Sequence, residues 1–219
     1  MGMTAMWEND RQEFDNVGLM INVEARGPWG PALLFEACPG NCKVMDLYAS
    51  NSRFPYTYSL TTVVYGFMPN FTDFTIVKDS IPGLNFSTIT DVNHYHTHLD
   101  NFENVSPKSI QHYGAQIIPL ASAYVKGEEF AHKDALKAEE DAVNFTVPGL
   151  GLFNFSKIGY TITNVIIFVL FLLLFGLEGV RGRINAKKVF AKSVTVLGAS
   201  VGIMVLGSFI SMVCSSIAG

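Results

Sequence analysis

The sequence predicts an α/β class domain, part of an α/β sandwich, followed by an all-α transmembrane helical hairpin. Three observations carry that prediction. Short apolar runs of strand length are mixed with a capped, helix-length segment in residues 1–156. From Lys157 onward almost every residue is apolar, apart from one short basic stretch. The change is abrupt, so the 219 residues divide into a soluble part and a membrane part. The soluble part has the size of one ordinary domain of about 100 to 200 residues.

The elements follow in order. Residues 17–23, Val-Gly-Leu-Met-Ile-Asn-Val, read as a fully buried strand, and 31–37 and 84–89 as two more. Ser106 is a good N-cap with Pro107 at the first helical position, and Ile110, Tyr113, Ile117 and Tyr124 then recur at helical spacing. Pro119 is expected to kink that helix or divide it. Residues 127–156 form a connector. Within it, 127–143 carry Glu128, Glu129, Lys133, Asp134, Lys137, Glu139, Glu140 and Asp141, spaced as a solvated, helical spacer.

Residues 157–219 read as two transmembrane helices. The charge-free run 158–177 is long enough to cross a ~30 Å hydrocarbon core. The second run, 193–219, is rich in Gly and Ser, which suit close helix packing. Between them Arg181, Arg183, Lys187, Lys188 and Lys192 face a single acid, Glu178. The positive-inside rule therefore predicts an integral membrane protein whose 181–192 loop is cytoplasmic and whose soluble domain is extracytoplasmic, lumenal or extracellular. Sequons at Asn70, Asn85, Asn144 and Asn154 fit a lumenal domain.

A net charge of −4 and the lack of any Lys/Arg run before the membrane part exclude a nucleic-acid surface, which needs clustered cations. Three cysteines make no disulfide framework. Cys38 and Cys42 bracket a turn and form either a small disulfide or two unpaired thiols. The first fifteen residues lack a signal peptide, so a membrane-bound domain that opens on a strand is expected to have an upstream part.

Two places put polar groups where burial makes them costly. Glu24 ends the first apolar strand, the edge at which open α/β sheets place ligands. The bland alternative is a surface pair between Glu24 and Arg26. The second place is Asn93-His94-Tyr95-His96-Thr97-His98-Leu99-Asp100, with three of the five histidines. Imidazoles reach zinc, and Asp100 can orient one through its second ring nitrogen. In an extended segment only one or two of the three point the same way.

These residues carry a family resemblance. Val23-Glu24-Ala25-Arg26-Gly27 with Gly30-Pro31 and Leu34-Phe35-Glu36, then Asn70-Phe71-Thr72-Asp73-Phe74, Ile81-Pro82-Gly83-Leu84-Asn85-Phe86, and Tyr95 to Asp100 with Glu103-Asn104, resemble in order and spacing the later half of an M28 zinc aminopeptidase domain. The similarity covers roughly 18–125, and the apolar segments resemble the multi-spanning vacuolar or endoplasmic-reticulum branch of that family. The resemblance makes residues 1–126 a partial, zinc-exopeptidase-like domain.

The resemblance also implies roles. Glu24 matches the carboxylate on one zinc of a dinuclear pair, His96 the histidine on the other, and Tyr95 the tyrosine whose hydroxyl holds the oxyanion. Asp100, Asp73 and Arg26 are supporting or substrate-pocket candidates, and His94 and His98 bystanders. The implied reaction is hydrolysis of the first peptide bond of a peptide with a free N-terminus by a zinc-activated water. The family pattern further requires, before Glu24, a histidine, a bridging aspartate and a Glu-Glu pair. The 23 residues before Glu24 contain no histidine and no Glu-Glu pair, so the polypeptide alone is expected to bind zinc weakly and hydrolyse nothing. Three explanations stay open: a truncated piece of an active enzyme, one part of a split enzyme completed by its upstream half, or a non-catalytic, membrane-anchored binding ectodomain.

Overall fold

In the computed structural model, residues 2–182 and 185–218 are described. They fall into two compact units, Met1–Thr161 and Ile162–Gly219. The first runs from helix α1 (Gly2–Asn9) through strands β1 (Met20–Ala25) and β2 (Leu33–Ala37), helices α2 (Cys42–Asn51), α3 (Ser59–Gly66) and α4 (Asp73–Val77), strand β3 (Gly83–Thr88) and helix α5 (Pro107–Lys126) to a hairpin of β4 (Ala142–Val147) and β5 (Gly151–Ser156). The class is mixed α/β, as expected.

The main sheet has the order β1-β3-β2, with β1 parallel and β2 antiparallel to β3. Central β3 is buried along its whole length, so apolar and polar residues there both need partners. Leu84 and Phe86 lie in the core, where Tyr48 of α2 packs against Phe86 with ring centroids 5.9 Å apart. On the other face stand Gly83 and Asn85. A Cβ at Gly83 would lie 2.6 Å from the Phe74 ring of α4, and Asn85 Nδ2 donates to Thr72 Oγ1 at 3.0 Å. Both faces of β3 are thus covered.

The expected fully buried strand at 17–23 is corrected. β1 begins at Met20, and its burial is partial, with Val23 54% exposed. It is an edge strand, and edge strands lack a neighbour on one side. Val17 and Leu19 nevertheless pack against the core from the segment before it.

Helix α5 starts as predicted, with the Ser106 hydroxyl accepting from Ser109 N and Pro107 at its first position. The buried stripe is Ser109, Tyr113, Gln116 and Leu120, while Ile110 is 57% exposed. Two of the four inward positions are therefore polar and satisfied: Ser109 Oγ donates to Gly30 O (2.7 Å), and Gln116 Nε2 to Ala32 O (2.8 Å). Pro119 does not divide the helix. It has no N–H for the carbonyl of Ala115 four residues earlier, and Arg53 N bonds that carbonyl instead at 3.0 Å. Ser52 Oγ takes the next one, Gln116 O, at 2.9 Å. Ser106→Ala is expected to cost about 1 kcal/mol through the lost cap, measured by chemical denaturation of the chain in micelles.

The reading of 127–143 as a solvated, helical spacer is corrected too. Only Glu128–Phe130 forms a short 3-10 turn. The chain then folds back: Leu136 and Ala142 join the core, and Asp141 Oδ1 accepts from Gly40 N at 2.8 Å. Gly40 (φ 64°) closes a turn that suits glycine. The β4–β5 hairpin follows, and Asn144 within it is buried and accepts from Thr57 Oγ1 at 3.1 Å. Asn85 and Asn144 are therefore structural amides rather than exposed sequons. The thiols of Cys38 and Cys42 are free, which settles the choice against a disulfide. Burial pushes the Cys38 thiol pKa above its ordinary value.

Helix α6 (Lys157–Val180) is, among the described residues, the one helix long and apolar enough to cross a membrane, with a mean hydropathy of 2.4. Helix α7 (Ala186–Ala218) contains the second apolar run up to Ala218, and Gly219 lies outside the described residues. The predicted 181–192 loop is shorter than expected. Asn185 Oδ1 accepts from Lys188 N at 3.2 Å and starts the helix early, as a capping side chain does. Lys187, Lys188 and Lys192 thus stand exposed on the first turns of α7. Arg183 lies outside the described residues.

Candidate functional site

Residue alternation along β1 puts Asn22 and Glu24 on the same face. Asn22 Nδ2 donates to Glu24 Oε1 (3.1 Å) and to Asn85 Oδ1 (2.9 Å). Asn85 Nδ2 in turn donates to Glu36 Oε2 (2.9 Å), and Lys78 Nζ closes the row on Glu36 Oε1 at 2.6 Å. Asn22, Asn85 and Glu36 are register partners across all three strands. One rung of the sheet is therefore a continuous polar line from Glu24 to Lys78. Glu36 is only 2% exposed, a burial a carboxylate tolerates when it is paired and hydrogen-bonded.

The main chain of Glu24 is held separately. The Tyr113 hydroxyl of α5 donates to Glu24 O at 2.6 Å. Burial raises the pKa of that hydroxyl, so it stays a neutral donor. Arg26 does not pair with Glu24, since the ion pairs among the described residues lie elsewhere. Its guanidinium donates to Asn70 Oδ1 (2.7 Å) and lies 5.6 Å from the centre of the Tyr95 ring, within cation–π range. Glu24, Arg26, Asn70 and Tyr95, from distant parts of the sequence, line one cavity of about 620 Å³.

Tyr95 stacks on His96 with ring centroids 3.9 Å apart. His96 is exposed and takes a left-handed backbone, φ 59°, uncommon for a residue with a side chain. Asp100 does not orient an imidazole. Its Oδ2 accepts from the backbone N–H of His96 at 3.4 Å, so it steadies the bend that presents the ring. Asp73 is exposed in the first turn of α4, and its neighbour Thr72 lines the cavity in its place. His98 is exposed, and His94 Nδ1 is buried without a hydrogen-bond partner.

For a metal ion the donor types are suitable, a carboxylate at Glu24 and an imidazole at His96. Their number is short: among the described residues no group of three His, Cys, Asp or Glu side chains is placed to hold one. Two donors do not complete a zinc shell. Sequence reasoning gave Asn22 and Lys78 no role, and it used Asn85 and Tyr113 only as parts of a motif and of a helical stripe. The Asn22–Glu24 spacing was the available signal for the first, whereas Lys78 and Tyr113 meet the site only through the fold.

The profile of peptidase family M28 matches residues 2–121, more than half of the chain. Human endoplasmic reticulum metallopeptidase 1 is 28% identical over 209 residues, which cover 90% of this chain and 23% of that protein. Putative endoplasmic reticulum metallopeptidase 1-A of Caenorhabditis elegans is 29% identical over 148 residues, 66% of this chain and 16% of the relative. The vacuolar membrane protease of Candida dubliniensis is 29% identical over 167 residues, 74% of this chain and 17% of the relative. The chain thus spans less than a quarter of the length of these curated relatives. No solved structure matches. With the ordered motifs lying inside the matched residues, the chain belongs to peptidase family M28.

Proposed function

We propose that this chain is the later part of a membrane-bound zinc aminopeptidase acting on peptides with a free N-terminus. In this reading Glu24 and His96 each ligate one ion of a zinc pair, Tyr95 donates its hydroxyl to the oxygen that gains negative charge, Arg26 supports the site from the cavity wall, and Asp100 steadies the bend at His96. Bound zinc supplies an acidified water and a polarised carbonyl. The remaining ligands and the general base are assigned outside these residues, so the chain alone hydrolyses nothing. The observation that carries the reading is the shared cavity of Glu24, Arg26 and Tyr95 in a member of a peptidase family. Residues 1–126 are the peptidase part and 127–156 the connection to an α6–α7 transmembrane hairpin. The cations Arg181, Lys187, Lys188 and Lys192 lie on the cytoplasmic side and the first unit on the lumenal or extracellular side.

Zinc competition against a chromophoric chelator tests the ligands. The chain should take up zinc weakly, Glu24→Gln and His96→Ala should each weaken uptake at least tenfold, and His98→Ala should leave it unchanged. Equal uptake by all four proteins removes the assignment. Placed in the matching region of the human relative, the chain should give a chimera that hydrolyses unblocked aminoacyl arylamides until a chelator is added. The second reading, a non-catalytic binding ectodomain, is equally compatible with a site of two donors, and an inert chimera would select it.

A further inference from the structure

We infer that one face of the β4–β5 hairpin is a membrane-docking surface, seated in the lipid headgroup layer of the leaflet at which α6 begins. This rests on the reading of α6 as a membrane span and goes beyond it by giving the first unit its own lipid contact. Strand register sorts the hairpin into two faces. Ala142, Asn144 and Thr146, with Leu152 and Asn154, face the body of the unit. Ala142 lies in the core and Leu152 packs on it, Asn144 N donates to Ser59 Oγ at 2.7 Å, Thr146 Oγ1 donates to Pro55 O at 3.1 Å, and Asn154 Nδ2 donates to Asp46 Oδ1 at 2.8 Å. The opposite face is Val143, Phe145, Val147, Phe153 and Phe155. Among the described residues, none of these five joins the core or packs on it. Amides and a hydroxyl thus turn inward while an apolar surface turns outward, the reverse of a hairpin that faces water.

The occupant follows from where the hairpin is tied. β5 ends at Ser156 and α6 begins at Lys157, with no linker between them. Ser156 Oγ accepts from Gly159 N at 3.0 Å. Phe145 stacks with Phe153 and Phe155, ring centroids 5.4 and 6.2 Å apart, and Phe155 meets Tyr160 of α6 at 6.3 Å. All of these residues belong to the first unit, so the aromatic row continues into the first turn of α6 within one compact body. The charge-free run 158–177 of α6 rises 1.5 Å per residue and so spans about 30 Å, the thickness of the hydrocarbon core. It has no length to spare, which puts Lys157 at the edge of the hydrocarbon. Phe155, two residues earlier, stands no more than about 7 Å from that edge, within a headgroup layer ~5 to 8 Å thick. Laying the apolar face on the bilayer brings Phe145 and Phe153 to the same depth. Residues 142–156 contain no charged side chain to oppose this, and aromatic side chains suit that depth.

The test uses the full chain in liposomes of phosphatidylcholine and phosphatidylethanolamine that carry an alkyne-tagged phosphatidylcholine. Photoreactive p-benzoylphenylalanine, close in shape to the residue it replaces, is placed at Phe153, at Phe168 in the middle of α6, or at Phe102, which is 84% exposed in the first unit. Irradiation should join lipid to the proteins labelled at 153 and 168 at least tenfold more than to the one labelled at 102. Lipid on 168 but not on 153 would overturn the inference and leave the membrane span standing. Equal lipid on 153 and 102 would overturn it as well, since no docked face is then distinguished. A protein–protein adduct at 153 in place of a lipid adduct would assign the face to a second copy of the chain instead. Lipid on none of the three would defeat the membrane span itself, and the docking surface with it.

Discussion

Replacing Lys78 by Met is expected to lower the stability of the first unit by about 3 kcal/mol. Glu36 is 2% exposed and receives two hydrogen bonds, from Lys78 Nζ and Asn85 Nδ2. Removing the cation leaves a buried carboxylate with a neutral donor as its remaining partner, and such a charge costs several kcal/mol. The figure sits at the low end of that range because the Lys78 side chain keeps 27% of its exposure and water already shares its charge. The double variant Lys78→Met, Glu36→Gln should recover most of the loss, because a neutral amide is far cheaper to bury than an ion. Urea denaturation of the three proteins gives the cycle. A single-variant loss below about 1 kcal/mol would mean that the pair behaves as an ordinary surface bridge.

Gly27→Ala should cost a similar amount, about 3 kcal/mol, at the upper end for overpacking. A Cβ on Gly27 would stand 1.9 Å from the carbonyl oxygen of Thr90 and 2.7 Å from its carbon. Both are main-chain atoms, so no rotamer change relieves the clash and the two segments must separate. They are joined there by the Thr88 Oγ1 bond to Gly27 O and by the bridge between Trp29 and Thr90. One segment carries Glu24 and Arg26, and the other leads to Tyr95 and His96. The same substitution should therefore weaken zinc uptake even at temperatures where the variant remains folded. Unchanged uptake in a destabilised variant would show that the close approach serves the fold alone.

Strand β2 was legible as a mostly apolar run, β3 through the alternation of Leu84 and Phe86 with polar residues, and the start of α5 because Ser106-Pro107 signals it with two residues. β1 was found but misjudged. Its apolar composition reads the same whether it lies in the middle of a sheet or at its edge. The β4–β5 hairpin was hidden because the charges before it suggested solvent, and because Asn144, which points inward, breaks the apolar alternation that marks a half-buried strand. In α5 the inward Ser109 and Gln116 shifted the buried stripe away from Ile110 in the same way. Of the cavity lining, Glu24, Arg26 and Tyr95 were legible as parts of ordered motifs. The rung that holds Glu24 was not, since Asn22, Asn85 and Glu36 become neighbours only through strand register.

The proline in α5 has a consequence for amide exchange with solvent. The Arg53 N–H bonds the carbonyl that Pro119 leaves open, so its protection depends on a turn of α5 rather than on α2, which ends at Asn51. Exchange of that single proton should therefore follow the opening free energy of α5. In deuterated solvent it would slow and quicken together with the amides around Gln116 while the end of α2 frays independently, which makes Arg53 a reporter for a helix of which it is not part.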